Sequence, residues 1–339
     1  MKKIIGIAAV LLSFTLVFGV LAGCGPSTEN PENTPDAEPK KETLKVFTLK
    51  GPTGLGMCEL MESNEKGETS NKYDFTVAGS PDEITGEIIA GRFDIAAVPV
   101  NLAAVLYNKT GGEIRLAAVN TLGVLYVLEN GGTVHSVEDL RGKTIGATGQ
   151  GSTPEYVLNY ILKANGLDPE KDVTIEYYAE HAELATRMIS GDVKIGMLPE
   201  PNVTTVMTKN ASVGIALNLT AEWDKLDTGG AGLTQGCVVV SKDFAENYKA
   251  QLNSFLDEYK KSAEYAVANP AATGTLAEKF GIVPAAAIAA KAIPNCNICM
   301  VTGAEAKEMV SGFLKVLFDA DAKSVGGKLP DDGLYYTGY

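Results

Sequence analysis

The hydrophobic and polar positions of this chain follow two alternating patterns. Short apolar runs, such as residues 95–98 and 195–198, are typical of buried strands, and segments with apolar residues at helical spacing separate them. Strands and helices that alternate in this way favour parallel sheets covered by helices on both faces. The sequence therefore predicts an α/β fold with a helical C-terminal region. After residue 243 only helices are predicted, at 244–268, 271–280, 284–292 and 304–319.

The same succession of elements occurs twice along the chain. Each copy contains a strand, a polar turn and an amphipathic helix that ends at a glycine, Gly91 in the first copy and Gly191 in the second. This repeat predicts two similar α/β lobes. The alternative is a chance similarity between ordinary strand–helix segments. Three pairs of segments correspond at offsets of 98 or 100 residues: 45–51 with 143–149, 73–91 with 173–191, and 95–99 with 195–199.

We assign residues 44–130 and 237–339 to the first lobe and residues 131–236 to the second. Ser136 has the character of an N-cap followed by two acids, and it opens a helical turn early in the second lobe. The glycine-rich stretch 229–236 precedes an apolar run that is predicted to return to the first lobe. The first lobe is then discontinuous, and its two connections to the second lobe form a predicted hinge.

The N-terminus has the features of an export signal. Two lysines precede an apolar run over residues 4–20, and small residues follow it. An uncleaved membrane-spanning helix is the alternative, because the run approaches the necessary length. Residues 21–24, Leu-Ala-Gly-Cys, resemble the bacterial lipobox, in which the cysteine is lipidated and becomes the new N-terminus. This resemblance favours a signal peptide over residues 1–23 and acylation of Cys24, with palmitate for example, on the outer face of the cell membrane.

Composition separates a tether from the body of the protein. Residues 24–43 are rich in Pro, Asn, Glu, Ser and Thr without an apolar period, so a flexible tether is predicted there. The whole chain is 45% hydrophobic, which is ample for buried cores. Its net charge of −13, without a stripe of Lys and Arg, argues against nucleic acid as a partner.

Residues suited to catalysis are scarce. The chain has two histidines, His135 and His181, and the sequence contains no recognisable pair of nucleophile and base. We therefore expect a protein that is not an enzyme and that needs no cofactor.

The cysteines leave several possibilities open. Cys296 and Cys299 are spaced to close a small disulfide loop outside the cell, or they are free thiols in an anaerobe. A zinc site would need two further ligands nearby, and a redox role would need a thioredoxin-like unit. Cys58 and Cys237 have no partner that the sequence identifies. No metal site is expected.

Loops at predicted strand ends are candidate ligand sites, because ligands of open α/β sheets bind beyond the carboxyl ends of the strands. The loop at 148–155 leads into a helix with Thr153 as the predicted N-cap and Pro154 as the first helical residue. Its glycines allow close approach of a ligand, and free N–H groups at the helix start favour an anion. Residues 51–57 are its counterpart, and neither loop has the lysine of a P-loop. An ordinary capped turn is the alternative.

Further candidates lie at the other strand ends. Glu200 could accept a hydrogen bond from an amine or a pyrimidine-like N–H group, and it would repel an anion unless Lys50 compensates. His181 is expected either near the cleft or at an exposed helix start. Trp223 is expected in a partly exposed packing role, with stacking on a ligand as the alternative. The predicted ligand-binding residues are Lys50, Thr53, Gly54, Ser80, Asn101, Gly151, Ser152, Thr153, Tyr178, Glu200 and Gln235.

Five motifs occur in a characteristic order over the chain: the lipobox, Gly-Pro-Thr-Gly-Leu-Gly at 51–56, Gly-Arg-Phe-Asp-Ile-Ala at 91–96, the loop at 149–154, and Leu-Pro-Glu-Pro at 198–201. Together they resemble the nitrate/sulfonate/taurine-type substrate-binding proteins of ABC importers, a group that includes binders of thiamine-pyrimidine precursors. The resemblance covers most of residues 44–320. It implies a type II periplasmic-binding-protein fold, with two lobes that close around a solute. An aromatic residue that follows the last motif in several members is missing here, so the ligand subclass stays open.

The resemblance also implies a function and partners. The expected protein is a lipid-anchored monomer that captures a small polar solute and delivers it to an ABC permease and ATPase complex. The solute is either an organic anion, such as a sulfonate or carboxylate, or a heteroaromatic vitamin precursor. A solute sensor on the same fold and an enzyme on the same fold are the alternatives.

Overall fold

The computed structural model describes residues 39–339, so the predicted signal peptide, Cys24 and most of the predicted tether lie outside the described residues. The strands of the described chain are β1 (Leu44–Leu49), β2 (Tyr73–Ala78), β3 (Ile95–Pro99), β4 (Ile114–Leu122), β5 (Leu125–Asn130), β6 (Thr144–Thr148), β7 (Thr174–Tyr178), β8 (Ile195–Pro199), β9 (Val213–Asn218), β10 (Thr234–Ser241) and β11 (Ile298–Thr302). Its α-helices are α1 (Pro52–Lys66), α2 (Asp82–Ile89), α3 (Val100–Lys109), α4 (Thr153–Ala164), α5 (His181–Ser190), α6 (Asn202–Lys209), α7 (Leu219–Trp223), α8 (Lys242–Asn247), α9 (Lys249–Ala268), α10 (Pro270–Lys279), α11 (Ala286–Ala292) and α12 (Gly303–Ala320).

The strands form two sheets with matching topology. The order is β11–β4–β10–β3–β1–β2 in the first sheet and β7–β6–β8–β5–β9 in the second. In the first sheet β1 is parallel to β2 and β3, and β10 is antiparallel to β3 and β4. In the second sheet β6 is parallel to β7 and β8, and β5 is antiparallel to β8 and β9. Apart from β11, which has no counterpart in the five-stranded second sheet, the predicted repeat is thus present as two sheets with the same strand order and directions.

The chain crosses between the two sheets at positions other than the predicted lobe boundaries. Strand β5 pairs with β8 and β9, so residues 125–130 belong to the second sheet and their assignment to the first lobe is wrong. The chain passes from one sheet to the other at Gly123 and Val124, between two apolar strands. Because no polar turn separates these strands, their sequence gives no sign that they join different sheets. The return connection leads into β10, which begins at Thr234 in the first sheet.

Two further expectations are corrected at the chain's ends. Residues 298–302 form β11, which pairs with β4 at the edge of the first sheet, so the region after residue 243 is not helical throughout. The end of the predicted tether is also attached to the body. The backbone N–H of Lys41 donates to Gln251 at 2.7 Å, and its ammonium group donates to Asp94 at 2.5 Å.

Helices cover both faces of the first sheet and bury its apolar strands. Helix α9 presents Leu252, Phe255, Leu256 and Tyr259 at helical spacing, and these side chains pack with α1 against one face. On the opposite face α3 and α12 pack against the sheet. This layered packing holds the strands rigidly, so that the loops at their carboxyl ends have fixed positions.

The single tryptophan is part of the core. Trp223 is fully buried between Tyr160 and Phe313, with ring centroids at 5.0 and 5.4 Å, and its indole N–H donates to the Ala231 carbonyl at 2.7 Å. The expectation of partial exposure is wrong, because the short helix α7 turns both Leu219 and Trp223 into the core. No helix of the described residues is long and apolar enough to cross a membrane.

The cysteines of the described chain are free thiols. Cys58, Cys237 and Cys296 are buried, and Cys299 is half-buried. The structure therefore favours the free-thiol alternative over a disulfide between Cys296 and Cys299. Burial raises the pKa of the Cys58 and Cys299 thiols to about 12, so these groups stay protonated at neutral pH.

Candidate functional site

A cavity of about 120 Å³ lies where the carboxyl ends of strands from both sheets meet. Its walls come from the ends of β1 and β3 in the first sheet and from the starts of the helices that follow β6 and β8 in the second. Val124, on the first connection between the sheets, also borders it, as does Gln235, the second residue of β10 directly after the return connection. The cavity therefore occupies the position at which open α/β sheets bind ligands. Its polar side chains belong to Lys50, Thr53, Thr121, Ser152, Thr153, His181, Glu200, Asn202 and Gln235.

Two helix starts point their first turns at the cavity. Helix α1 follows Gly51, whose φ of 107° lies in the region that favours glycine, and α4 follows Ser152. The predicted N-cap Thr153 is therefore the first helical residue instead, and Ser152 is the N-cap. Gly51 has no side chain, and the Ser152 hydroxyl makes no capping bond to its own helix within the described chain. Pro52 and Pro154 have no N–H group, and the Glu155 N–H donates to the Ser152 carbonyl at 3.1 Å. The N–H groups that remain for an acceptor in the cavity are those of Thr53 and Gly54 in α1 and of Thr153 in α4.

Gln235 supplies a further donor. Its side chain is 8% exposed, and its Oε1 accepts a hydrogen bond from the Val124 N–H at 2.5 Å. No residue in the described range 39–339 accepts from its Nε2. Val124 lies on the first connection between the sheets, and Gln235 is the second residue of β10, directly after the return connection. This hydrogen bond therefore ties the two crossing points together and fixes the free amide N–H group at the cavity wall.

Glu200 brings an acidic group into the same wall. It is 2% exposed, and its two carboxylate oxygens accept hydrogen bonds from the backbone N–H and the hydroxyl of Thr204, each at 3.0 Å. These contacts satisfy the first turn of α6. Burial raises the pKa of Glu200, while the two bonds from Thr204 oppose that shift. A raised pKa favours the neutral carboxyl group, so Glu200 repels an anion in the cavity less strongly than an exposed carboxylate with an ordinary pKa would.

His181 lies in the cavity wall at the start of α5. Its Nδ1 is 2.6 Å from the Thr148 hydroxyl at the end of β6. Burial lowers the pKa of His181 to about 4, so the imidazole is neutral at pH 7. Of the two sequence alternatives for this residue, the structure favours the position near the cleft.

The structure brings six of the predicted ligand-binding residues to the cavity: Lys50, Thr53, Ser152, Thr153, Glu200 and Gln235. Whether each contacts a ligand stays a prediction. The remaining five do not line it and have other contacts. Gly54 is packed so closely that a Cβ atom would lie 2.6 Å from the Leu49 carbonyl, and Tyr178 packs against Gly146. Ser80 and Gly151 donate their backbone N–H groups to Glu83 and Glu155, and Asn101 bonds to Thr153.

Sequence reasoning missed several cavity residues. Thr121 and Val124 lie at the first connection between the sheets. The sequence predicts that connection after residue 130, so it does not place these two residues at strand ends. Asn202 starts α6 directly after the Pro-Glu-Pro turn, and that turn was a usable signal.

A second, wider groove lies away from the strand ends. It has a volume of about 720 Å³ and runs between α12 and the glycine-rich loop 227–232. None of the residues at the carboxyl ends of β1, β3, β6 or β8 borders it. In the described residues no group of three His, Cys, Asp or Glu side chains is placed to hold a metal ion. The small cavity is therefore the candidate site.

One protein family and several solved structures are similar to this chain. A family model described as NMT1/THI5 like matches residues 115–273. No curated protein matches the sequence significantly. Among solved structures, a protein from Parabacteroides distasonis described as an ABC transporter is 29% identical, with a TM-score of 0.71 over 87% of this chain and 99% of that chain.

Two structures with lower identity share the fold. The periplasmic aliphatic sulphonate binding protein SsuA from Escherichia coli is 14% identical, with a TM-score of 0.70 over 88% of this chain and 98% of that chain. The alkanesulfonate-binding protein SsuA from Xanthomonas axonopodis pv. citri, bound to MOPS, is 18% identical, with a TM-score of 0.67 over 88% of this chain and 97% of that chain. These matches confirm the predicted fold and the predicted resemblance to substrate-binding proteins of ABC importers.

Proposed function

We propose that this protein captures a small polar solute outside the cytoplasm and delivers it to an ABC importer. The observation that carries the proposal is the cavity of about 120 Å³ between equivalent strand ends of the two sheets, bordered by Val124 and Gln235 where the chain crosses between the sheets. Rotation about Gly123 and the segment before Thr234 would separate the sheets and open the cavity to solvent. The two lobes that we propose are the first sheet with its helices and the second sheet with its helices.

The cavity's size and donors favour a compact acceptor-bearing solute. A cavity of about 150 Å³ holds a benzene molecule, so the ligand here has on the order of six heavy atoms. The donors are the first turns of α1 and α4, the Gln235 amide and the Lys50 ammonium group at the rim. A short organic sulfonate or carboxylate satisfies these groups best. A single-ring heteroaromatic precursor is the second candidate, because Glu200 offers it an acceptor.

Export and anchoring form part of the proposal. The lysine-flanked apolar run and the Leu-Ala-Gly-Cys sequence support a signal peptide at 1–23 and a lipid on Cys24. A tether over residues 25–40 would then keep a monomeric binding protein close to its permease and ATPase partners.

The chemistry of the cavity argues for binding without catalysis. The only imidazole at the cavity, His181, is neutral and paired with Thr148, and no thiol lines the wall within the described chain. The structural relatives are binding proteins as well. A sensor on the same fold would bind solute in the same way, and loss of solute uptake on deletion of the gene separates transport from sensing.

A thermal-shift screen tests the proposal. The purified protein is heated with short sulfonates, carboxylates, nitrate and single-ring pyrimidines. A ligand at a hundredfold excess over its Kd stabilises the folded state by about 2.7 kcal/mol, so a binder raises the melting temperature by several degrees. The proposal fails if none of these solutes shifts the transition while a protein partner does.

A further inference from the structure

Asn101 and Thr153 join the two sheets beside the cavity. Asn101 is the second residue of α3, which follows the first sheet's β3, and Thr153 is the first residue of α4, which follows the second sheet's β6. The Thr153 hydroxyl donates to Asn101 Oδ1 at 2.9 Å, and Asn101 Nδ2 donates to the Gly151 carbonyl at 3.4 Å. Both side chains are almost completely buried, so water does not compete for these bonds.

The C-terminal segment orients the Asn101 amide. Its Nδ2 also donates to the Ser324 carbonyl at 3.0 Å. Ser324 lies just after α12, which packs against the first sheet, so this bond stays within one layer of the fold. With Nδ2 bonded to Ser324, the Asn101 amide oxygen is directed at Thr153. The acceptor for the second sheet is therefore held in place by the first sheet and the C-terminal segment.

The internal repeat produces a second contact on the other side of the cavity. Gly51, before α1, faces the Glu200–Pro201 turn before α6, and a Cβ atom at Gly51 would lie 3.9 Å from the Glu200 carbonyl oxygen. Because glycine has no side chain, Gly51 makes no side-chain hydrogen bond to this turn. The contact between α3 and α4 has side-chain hydrogen bonds with defined geometry, so it depends on the identity of its two residues.

We propose that Asn101 and Thr153 form a latch that stabilises the closed arrangement of the two lobes. Asn101 is then a positioning residue, which holds the start of α4 at the cavity wall without touching the solute. The latch opens reversibly, because water satisfies both side chains when the lobes separate. Its connection to solute capture rests on the proposed function, whereas its effect on the distance between the lobes does not.

The chain offers matched variants for a test. Thr153→Val removes the hydroxyl and keeps the shape, and Thr153→Ser restores the hydroxyl. Asn101→Ala removes the amide. Asn108→Ala is the control for the C-terminal segment, because Asn108 Nδ2 donates to the Val325 and Lys328 carbonyls at 2.9 and 2.8 Å and makes no bond to α4.

The readout is the distance between spin labels on Ala90→Cys and Ser190→Cys, measured by electron–electron double resonance without added solute. Both positions are exposed, one on each lobe. Labelling uses a Cys24→Ser, Cys299→Ala background, since the other cysteines are buried.

We expect the unsubstituted chain to populate a short distance. Thr153→Val and Asn101→Ala should lower the ratio of short to long distances by about 2- to 10-fold, the range for the loss of one hydrogen bond. Thr153→Ser and Asn108→Ala should keep the original ratio, even if Asn108→Ala lowers the melting temperature. An unchanged ratio in Thr153→Val would overturn the latch, as would a parent chain without the short distance or an Asn108→Ala variant that opens equally. The thermal-shift screen uses the unsubstituted chain and does not depend on the distance between the lobes, so the two proposals fail separately.

Discussion

The imidazole of His181 and the hydroxyl of Thr148 are hydrogen-bonded, with 2.6 Å between Nδ1 and Oγ1. The bond joins the start of α5 to the end of β6 and holds a neutral ring in the cavity wall. Because burial lowers the pKa of His181 to about 4, the folded protein resists protonation of this ring in a pH range where the unfolded chain accepts it.

This relationship predicts a loss of stability in mild acid. The pKa of His181 is 6.5 in the unfolded chain and about 4 in the folded protein. The neutral imidazole therefore stabilises the folded state above pH 6.5, and this stabilisation is lost as the pH falls toward 4. The full effect is about 3 kcal/mol. Urea unfolding of His181→Gln should show a free energy of unfolding that falls less between pH 7 and pH 4 than in the parent chain. The exposed His135→Gln serves as control, and equal pH dependence in both variants would contradict the prediction.

The raised pKa of Glu200 predicts a pH dependence of stability opposite to that of His181. Burial raises its folded pKa above 4.5, so the stability that its neutral form contributes is present below pH 4.5 and lost as the pH rises through the folded pKa. Glu200→Gln keeps an acceptor for Thr204 and cannot ionise. At pH 7 its free energy of unfolding should therefore exceed that of the parent chain, and the difference should vanish below pH 4.

The same variant should change ligand preference. Removing a negative charge near the cavity strengthens binding of an anion by about tenfold, since charges 4 Å apart interact by about 1 to 4 kcal/mol in water or near a protein surface. Binding of an amine-bearing solute should weaken to a similar extent. Titration calorimetry of both proteins with one solute of each kind measures the change, and unchanged affinities would remove Glu200 from the site.

Trp223 offers an optical test of the core. As the chain's single tryptophan, packed between Tyr160 and Phe313, it should emit at short wavelength and resist quenching by acrylamide. Trp223→Ala should lower the free energy of unfolding by about 3 to 5 kcal/mol without changing solute affinity. Emission typical of a solvated indole would place the residue outside the core.

The proposed lipid anchor makes a prediction about fractionation. Cys24→Ser removes the acylated thiol, so the protein should leave the membrane fraction of cells and be recovered in the soluble exported fraction. Cys299→Ser is the matched control, because that thiol lies within the folded body. Retention of the Cys24→Ser protein in membranes would indicate an uncleaved helix instead.

Local patterns were sufficient to predict much of the fold. The strands at 95–99 and 195–199 have the predicted bounds, and the repeat appears in the matching strand orders of the two sheets. The choice of sheet for β5 depends on pairing with β8, about 70 residues later in the chain, and periodicity carries no information about distant partners. Strand β11 was missed for the same reason, since it pairs with β4 far upstream.

The candidate site was predictable to a similar extent. Helix starts at strand ends are visible in the sequence, so Thr53, Ser152 and Thr153 were found from their glycine and proline neighbours. Asn101 was predicted to bind the ligand but does not line the cavity, and its bonding partners Thr153 and Ser324 lie 52 and 223 residues away in sequence. Its bonding across the lobes follows from how the sheets meet, which no local pattern encodes.

Titration calorimetry with a blocked cavity tests the central claim, that this cavity binds one small solute. Ser152→Phe places a ring in the wall at an extended backbone position where the native hydroxyl makes no capping bond to its own helix, so folding should be retained. The solute with the largest thermal shift should bind the parent chain with one-to-one stoichiometry and the Ser152→Phe chain at least about a hundredfold more weakly, a loss of about 2.7 kcal/mol. Equal binding by the two chains would show that the solute binds elsewhere and would contradict the assignment of the site.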